Sequence, residues 1–461
     1  MSMRSRFILL CCLIALPLVT DILWAADAEI ESPKVGVAPA NDKAAGKARG
    51  GVGLVTLDPE TNNRQTYINL SLPMDFRFWK LGLGLKGDVN LGQEGRIRTE
   101  DWDEASDWPR IVRYIEYGRK RETVYGRVGV LNDASLGHGT ILHHFYSDID
   151  YDHQKTGAQF DLNFDPGGFE TITNNVIEPD VLGGRIYFRP LYATTIPIVR
   201  RLAFGASGVA DVDAPLTLRG NSTATKQAIT RDRALRALDS ALSVYGFHAE
   251  LPLLENSFID LIPYADHNVI DEYGRGEHLG AMFRLKFPAI TSDLTARFEW
   301  GKFDGGYIPR YFDAFYEIER FRYPELDSLT TKQQFLLQQE PLEGYWGELG
   351  WAQEGVFKLS GEFSDYDDVE NGTLGLRLDI LALKDAEFSA RYLKRGVRSG
   401  EELITFDDHS LFQYTMSYPM PGVPFAYASD TMTRTWILDP NTGKYEPVDS
   451  YAPGVFFQIK F

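Results

Sequence analysis

The chain has 461 residues, a length that two or three compact domains or one large barrel would equally explain. Its formal charge of −18 excludes a nucleic-acid partner, because gripping phosphates needs a basic surface. Hydrophobic residues are 44 %, and past the first two dozen residues no run of about 18 apolar residues occurs, which excludes a polytopic helical membrane protein.

The N-terminus predicts export. Arg4 and Arg6 form a short positive region, Phe7 to Val19 (FILLCCLIALPLV) an apolar one, and Ala26-Asp27-Ala28 a small-residue cleavage site. Residues 1–28 therefore read as a signal peptide, with Asp21 and Trp24 leaving the exact cut open. The only cysteines, Cys11 and Cys12, fall inside it, too near the start for a lipoprotein signal. The mature chain then has no disulfide, thiolate metal site or cysteine nucleophile. Residues 29–50, rich in Ala, Gly, Pro and Lys and without periodicity, read as a flexible periplasmic tail.

From Gly51 onward, segments of strand length alternate apolar with polar residues, separated by Gly, Asp, Asn and Pro. In Lys80–Asn90, Leu81, Leu83, Leu85, Gly87 and Val89 share one face, and Lys80, Lys86, Asp88 and Asn90 share the other. The pattern returns at 159–164, 281–287, 294–300, 374–380 and 387–392. A half-buried soluble sheet alternates too, but here the non-apolar face carries full charges over a long series with few helices. That fits a water-filled lumen, and in lipid a strand edge must be closed. The expectation is an all-β chain, a single closed antiparallel transmembrane β-barrel over 51–461, with about 16 strands and a range of roughly 14 to 18. Candidate pore-lining residues are Arg185, Arg189, Arg284, Lys286, Arg297, Glu299, Arg377, Asp379 and Arg391. Thr223 to Leu242 is the best helical stretch, expected in a surface loop or an inward-folded constriction.

Several clusters invite a chemical reading. His138, His143, His144, Asp148, Asp150, Asp152 and His153 could in principle hold a divalent metal, but their spacing matches no standard signature. Gly137-His138-Gly139 reads as a turn. Asp407-Asp408-His409-Ser410 puts a base beside a hydroxyl, yet sequence neighbours rarely meet as a catalytic pair, so a polar turn is expected. The acidic runs 100–107 and 365–370 read as solvated loops. Tyr307 to Tyr316 is strongly aromatic and suits an interface girdle, a loop folded into the pore or a slide for apolar or sugar substrates. Girdle or loop packing is the more frequent role of such rings. No catalytic residue, no metal site and no cofactor is expected.

The most specific signal is the end of the chain. Val455, Phe457, Ile459 and Phe461 alternate with Gln458 and Lys460, and the last residue is a phenylalanine. This resembles the terminal strand of bacterial outer-membrane β-barrels, the porin-like class, without matching a particular family. The resemblance implies that these four residues are an assembly signal read by the barrel-assembly machinery. It further implies residence in the outer membrane among lipids and lipopolysaccharide. The function expected is passive or weakly selective passage of small solutes. The alternatives are a non-conducting structural or adhesive barrel and a barrel enzyme acting on lipid or peptide at the rim.

Overall fold

The computed structural model describes residues 45–460 apart from 58–64, 93, 103–107, 121, 148–154, 219–235, 324–329, 368–371, 384–385, 398–401, 408 and 439–444. The expected signal peptide, residues 29–44 of the expected tail and Phe461 lie outside the described residues.

Apart from Leu254–Glu255 and Tyr445–Tyr451, each strand pairs antiparallel with those before and after it in sequence, from Ala45–Leu57 round to Gly454–Lys460. The first and last strands then pair with each other, Lys47 opposite Lys460 and Val52 opposite Val455. The sheet is thus closed into a ring, which is what allows a β-structure to sit in lipid. The barrel has 20 strands, where the sequence suggested about 16. Tyr445–Tyr451 and Gly454–Lys460 share one position in the ring, since both pair with Ala426–Leu438 and are separated only by Ala452 and Pro453. The two-residue strand Leu254–Glu255 is an extension beside Ile259–Ile270.

The undercount has physical causes. Short strands such as Val112–Tyr117 and Val124–Gly129 carry too few residues for alternation to show. The first strand begins at Ala45, inside the stretch expected as tail, where Ala and Gly give no apolar alternation. The expected helix at Thr223–Leu242 is replaced at its C-terminal end by the strand Arg236–Glu250, and residues 219–235 of it lie outside the described residues. Register pairing of Arg236, Leu238, Asp239, Ser240 and Leu242 with Ala203–Leu218 overrides a local helical preference there.

Alternation along the strands separates two environments. Leu54, Leu70, Phe160, Ile186, Phe247, Phe298 and Phe457 are exposed on the outside, while Asn90, Asp161, Arg185, His248 and Glu299 are buried on the inside. At one end of the barrel the connections are short, and both described termini lie there. Phe78, Trp79, Phe164, Phe188, Phe258, Phe287, Tyr418 and Phe425 stand exposed at those strand ends. An apolar belt with an aromatic ring at its margin is the surface that a membrane interface requires. Short turns mark the periplasmic end of such barrels and long loops the outer end. The C-terminal strand shows the expected split: Val455, Phe457 and Ile459 point outward, and Gln458 is buried.

Candidate functional site: a constriction built from two inward loops

The described parts of two long connections from the outer end occupy the lumen. One joins the strands Val124–Gly129 and Gly157–Phe164; the other spans residues 304–341, between Ser292–Phe303 and Leu342–Gln353. They meet in a short parallel pairing of Leu142 with Phe312. Phe312 N–H donates to the Ile141 carbonyl (3.2 Å), His143 N–H to the Phe312 carbonyl (3.0 Å) and Arg310 N–H to the Thr140 carbonyl (3.1 Å). Around this seam Leu131, Leu136, Leu142 and Phe145 pack with Tyr307, Tyr311, Phe312 and Tyr316 in a hydrophobic core that also takes in wall residues such as Val181, Val209, Val244 and Ile270. The aromatic run 307–316 is therefore the interior of an inward loop and no interface girdle. Burying rings of this size anchors the loops far better than hydrogen bonds alone would.

The loop core is bound to the wall by charge. At the apex of the first loop, Gly137 (φ 57°) and Gly139 (φ 74°) flank His138 in left-handed backbone, which a side chain would disfavour. His138 Nδ1 meets Asp266 Oδ1 at 2.8 Å and its Nε2 meets Glu250 Oε2 at 2.8 Å, while the ring stacks on Tyr264. Burial alone would lower this imidazole, but Asp266 and then Glu250 outweigh it and raise its pKa to about 9. Arg297 Nη1 donates to the His138 carbonyl (2.8 Å), and Arg185 reaches Glu170 (2.6 Å) and His248 (3.0 Å) beside it.

The second loop is held in the same way. Arg310 donates to Glu299 Oε1 (2.8 Å) and lies 3.9 Å above the Trp346 ring. Arg320 is 1 % exposed and pairs with Asp211 (3.0 Å), which also accepts from Tyr316 Oη (2.6 Å). Arg395 from the wall meets Asp313 and Glu319 of the loop, and Arg391 lies 4.3 Å over the Tyr146 ring. Asp133 accepts from His144 and faces Arg377 at 3.6 Å.

The nine charged residues singled out in the sequence thus separate into groups. Arg185, Arg297, Glu299, Arg377 and Arg391 face inward against the two loops, and Asp379 accepts from Arg377 (3.2 Å). Arg284 and Lys286 lie nearer the short-turn end, paired across strands with Asp293 (2.6 Å) and Asp260 (2.9 Å). Arg189 sits at the turn itself and donates to the carbonyls of Phe164 and Asp165. The wall on the opposite side of the ring carries its own cross-strand pairs: Ser71–Asp88 at 2.5 Å, Asn69–Asn90 at 2.8 Å, Arg77–Glu116 at 3.4 Å and Arg127–Glu116 at 2.8 Å. Lys47 (2.8 Å) and Arg49 (2.7 Å) share Glu387, and Arg113 pairs with Asp75.

Sequence reading missed what the loops recruit from afar. Glu250, Asp266, Glu348 and Glu362 lie on separate strands, and no spacing along the chain links them to His138, His143 or His144. Asp148, Asp150, Asp152 and His153 lie outside the described residues. Ser410 Oγ donates to Asp407 Oδ1 (2.9 Å) and to the Thr405 carbonyl (3.0 Å), with Lys394 closing the cluster, so 407–410 is the polar turn expected; Asp408 lies outside the described residues.

The closed sheet, apolar belt and charged interior define an outer-membrane-type β-barrel of the porin-like class. No family model and no curated protein matches the chain. Among solved structures it is similar to the BenF-like porin of Pseudomonas fluorescens Pf-5, at TM-score 0.35 and 9 % identity over 91 % of this chain and 98 % of that one. It is similar to Pseudomonas aeruginosa OccK2 (OpdF), determined with glucuronate, at TM-score 0.34 and 11 % identity over 91 % and 96 % of the two chains. Acinetobacter baumannii OccAB2 is similar at TM-score 0.33 and 8 % identity over 92 % and 100 %.

Proposed function

We propose that the protein is an outer-membrane channel that passes small hydrophilic solutes through a lane along one side of a constricted lumen. The single observation that carries this reading is the one-sided attachment of the inward loops. They are tied to strands from Gly167–Thr173 round to Ser410–Pro419, while the strands at the two chain ends present charged pairs of their own. A barrel of this strand number leaves an aqueous interior unless something fills it. Loops that fill part of it turn a general pore into a narrow one.

The charges of that lane favour anions. Lys47, Arg49, Arg77, Lys86, Arg113 and Arg127 face the carboxylates of Asp75, Asp88, Glu116 and Glu387, and Glu116 is 1 % exposed between two arginines. A positive surplus in a narrow polar passage raises the local concentration of anionic solutes. Liposome swelling with matched sugars and sugar acids tests this: uptake of the acids faster than of the neutral sugars is expected. Replacing Arg77 and Arg127 by Gln should narrow the difference by several-fold. Equal rates for acids and amines would contradict the anion preference. The packing of the two loops favours a second reading, a plugged structural barrel, and liposomes that never swell would support it.

A further inference from the structure

His143 and His144 do not behave like the other histidines of the constriction. His138 has both ring nitrogens engaged by carboxylates. His143 is 3 % exposed, and its Nε2 is buried with no hydrogen-bond partner. Leaving a buried ring nitrogen unsatisfied costs about 1–3 kcal/mol, and such an atom calls for an explanation.

The surroundings of that nitrogen supply one. The two rings lie with centroids 3.8 Å apart. Each has its Nδ1 occupied by a neighbour in the same loop: Ser135 Oγ is 3.1 Å from His143 Nδ1, and Asp133 holds His144 Nδ1. Ser135 Oγ already accepts the His144 N–H, so it can accept the His143 Nδ1–H as well. Both Nε2 atoms are thereby directed to the same point, where two wall strands bring up carboxylates. Glu362 Oε2 lies 3.6 Å from His143 Nε2 and 3.9 Å from His144 Nε2, and Glu348 Oε1 lies 3.4 Å from His144 Nε2. The donor atoms of His143, His144 and Glu362 all fall within 4.8 Å of one another.

We propose that His143, His144 and Glu362, with Glu348 as the fourth donor, form a binding site for a late first-row divalent transition cation such as Zn²⁺. In a tetrahedral site with bonds near 2.0–2.1 Å the donors stand about 3.3 Å apart, so the carboxylate contacts at 3.4–3.9 Å need a slight contraction and the ring nitrogens, within 4.8 Å, a larger approach by the two side chains. Carboxylate behind one imidazole and hydroxyl behind the other is the outer support that such ligands need, fixing which nitrogen faces the metal. Two imidazoles select against Ca²⁺ and Mg²⁺, which take oxygen donors. The positive charge of Arg297 and Arg310 nearby is offset by Glu348 at 3.5 Å and Glu299 at 2.8 Å. His144, Glu348 and Glu362 keep side-chain exposures of 20 %, 21 % and 17 %, and His143 and Glu362 border a cavity of about 70 Å³, so an ion has a way in from the lumen. Bound metal would fasten the first loop to the strands Leu342–Gln353 and Phe357–Tyr366. The site needs the loop packing but not the passage of any solute.

The test uses the full mature barrel in detergent, stripped with chelator, and calorimetric titration with Zn²⁺, with Ca²⁺ as control. Saturable binding of one Zn²⁺ per chain and none of Ca²⁺ is expected. His143→Gln and Glu362→Gln should each weaken it by about 100-fold or more, given that lesser changes around metal ligands already cost 10–100-fold. Folding of each variant is checked by its heat-dependent gel shift. Should either fail to fold, Co²⁺ added to the unaltered protein keeps the question open to decision: intense tetrahedral d–d absorption is expected. Absence of Zn²⁺ binding, binding unaffected in folded variants, or a weak octahedral Co²⁺ spectrum would each overturn the site.

Discussion

His138 holds two carboxylates on one imidazole, and that makes the constriction sensitive to alkali. The groups facing it are Asp266, Glu250, His248, Arg185 and Tyr264 from the wall, with Thr140 of its own loop donating to Asp266 (2.6 Å). Its pKa is raised from 6.5 to about 9, so the charged form binds the wall better than it would in an unfolded chain. The resulting stabilisation, roughly 3 kcal/mol, is fully present below about pH 6.5 and fades as pH rises through about 9. Protease cleavage in the first loop should therefore increase between about pH 6.5 and 9 and level off above. In His138→Gln it should already be high at neutral pH and change little. A wild-type profile that is flat across this range would refute the assignment. The turn that aims His138 was legible in Gly137-His138-Gly139, because glycines on both sides of a polar residue mark left-handed backbone. Its partners were not legible, because Glu250 and Asp266 are brought beside it only by the closure of the sheet.

At the level of elements, the two loops act as one packed body. Phe312 has no exposure, and truncating it to Ala should cost about 3–5 kcal/mol of loop-core stability. The expected readout is faster hydrogen exchange in 131–147 and 304–323, with the strand amides unchanged. Exchange that rises equally in the strands would show that the loops are no separate unit. Arg320 offers a sharper test. Replacing it with Leu strands Asp211 as a buried lone charge and should destabilise the loop by about 3–5 kcal/mol. Replacing Asp211 with Leu as well should recover a large part of that loss, whereas additive losses would mean that the pair is not coupled. The aromatic composition of 307–316 announced a buried or interfacial segment, but composition cannot say which. Only the length of chain between two strands, and the charged wall that receives it, put the segment in the lumen. The stretch 223–242 shows the converse, since its end at Arg236–Leu242 gives way to sheet where Ala203–Leu218 supplies a strand partner.

Across the whole molecule, alternation was the legible feature. Leu81, Phe160, Phe298, Leu376 and Phe457 were assigned to one face by period alone, and they stand on the outer surface. The strand number was not legible, because the shortest strands and the Gly-rich first strand carry no detectable period. Its consequence is large. In the proposed account the wider ring holds both a pair of folded loops and a lane beside them, and that division is its centre. Single-channel recording of the mature chain in a planar lipid bilayer tests it most directly. Stepwise openings with anion preference are expected, the preference falling when Arg77 and Arg127 become Glu, and conductance rising several-fold when the loop core is loosened by Phe312→Ala. A folded, heat-modifiable barrel that never conducts, in either form, would contradict the account and leave a plugged structural barrel in its place.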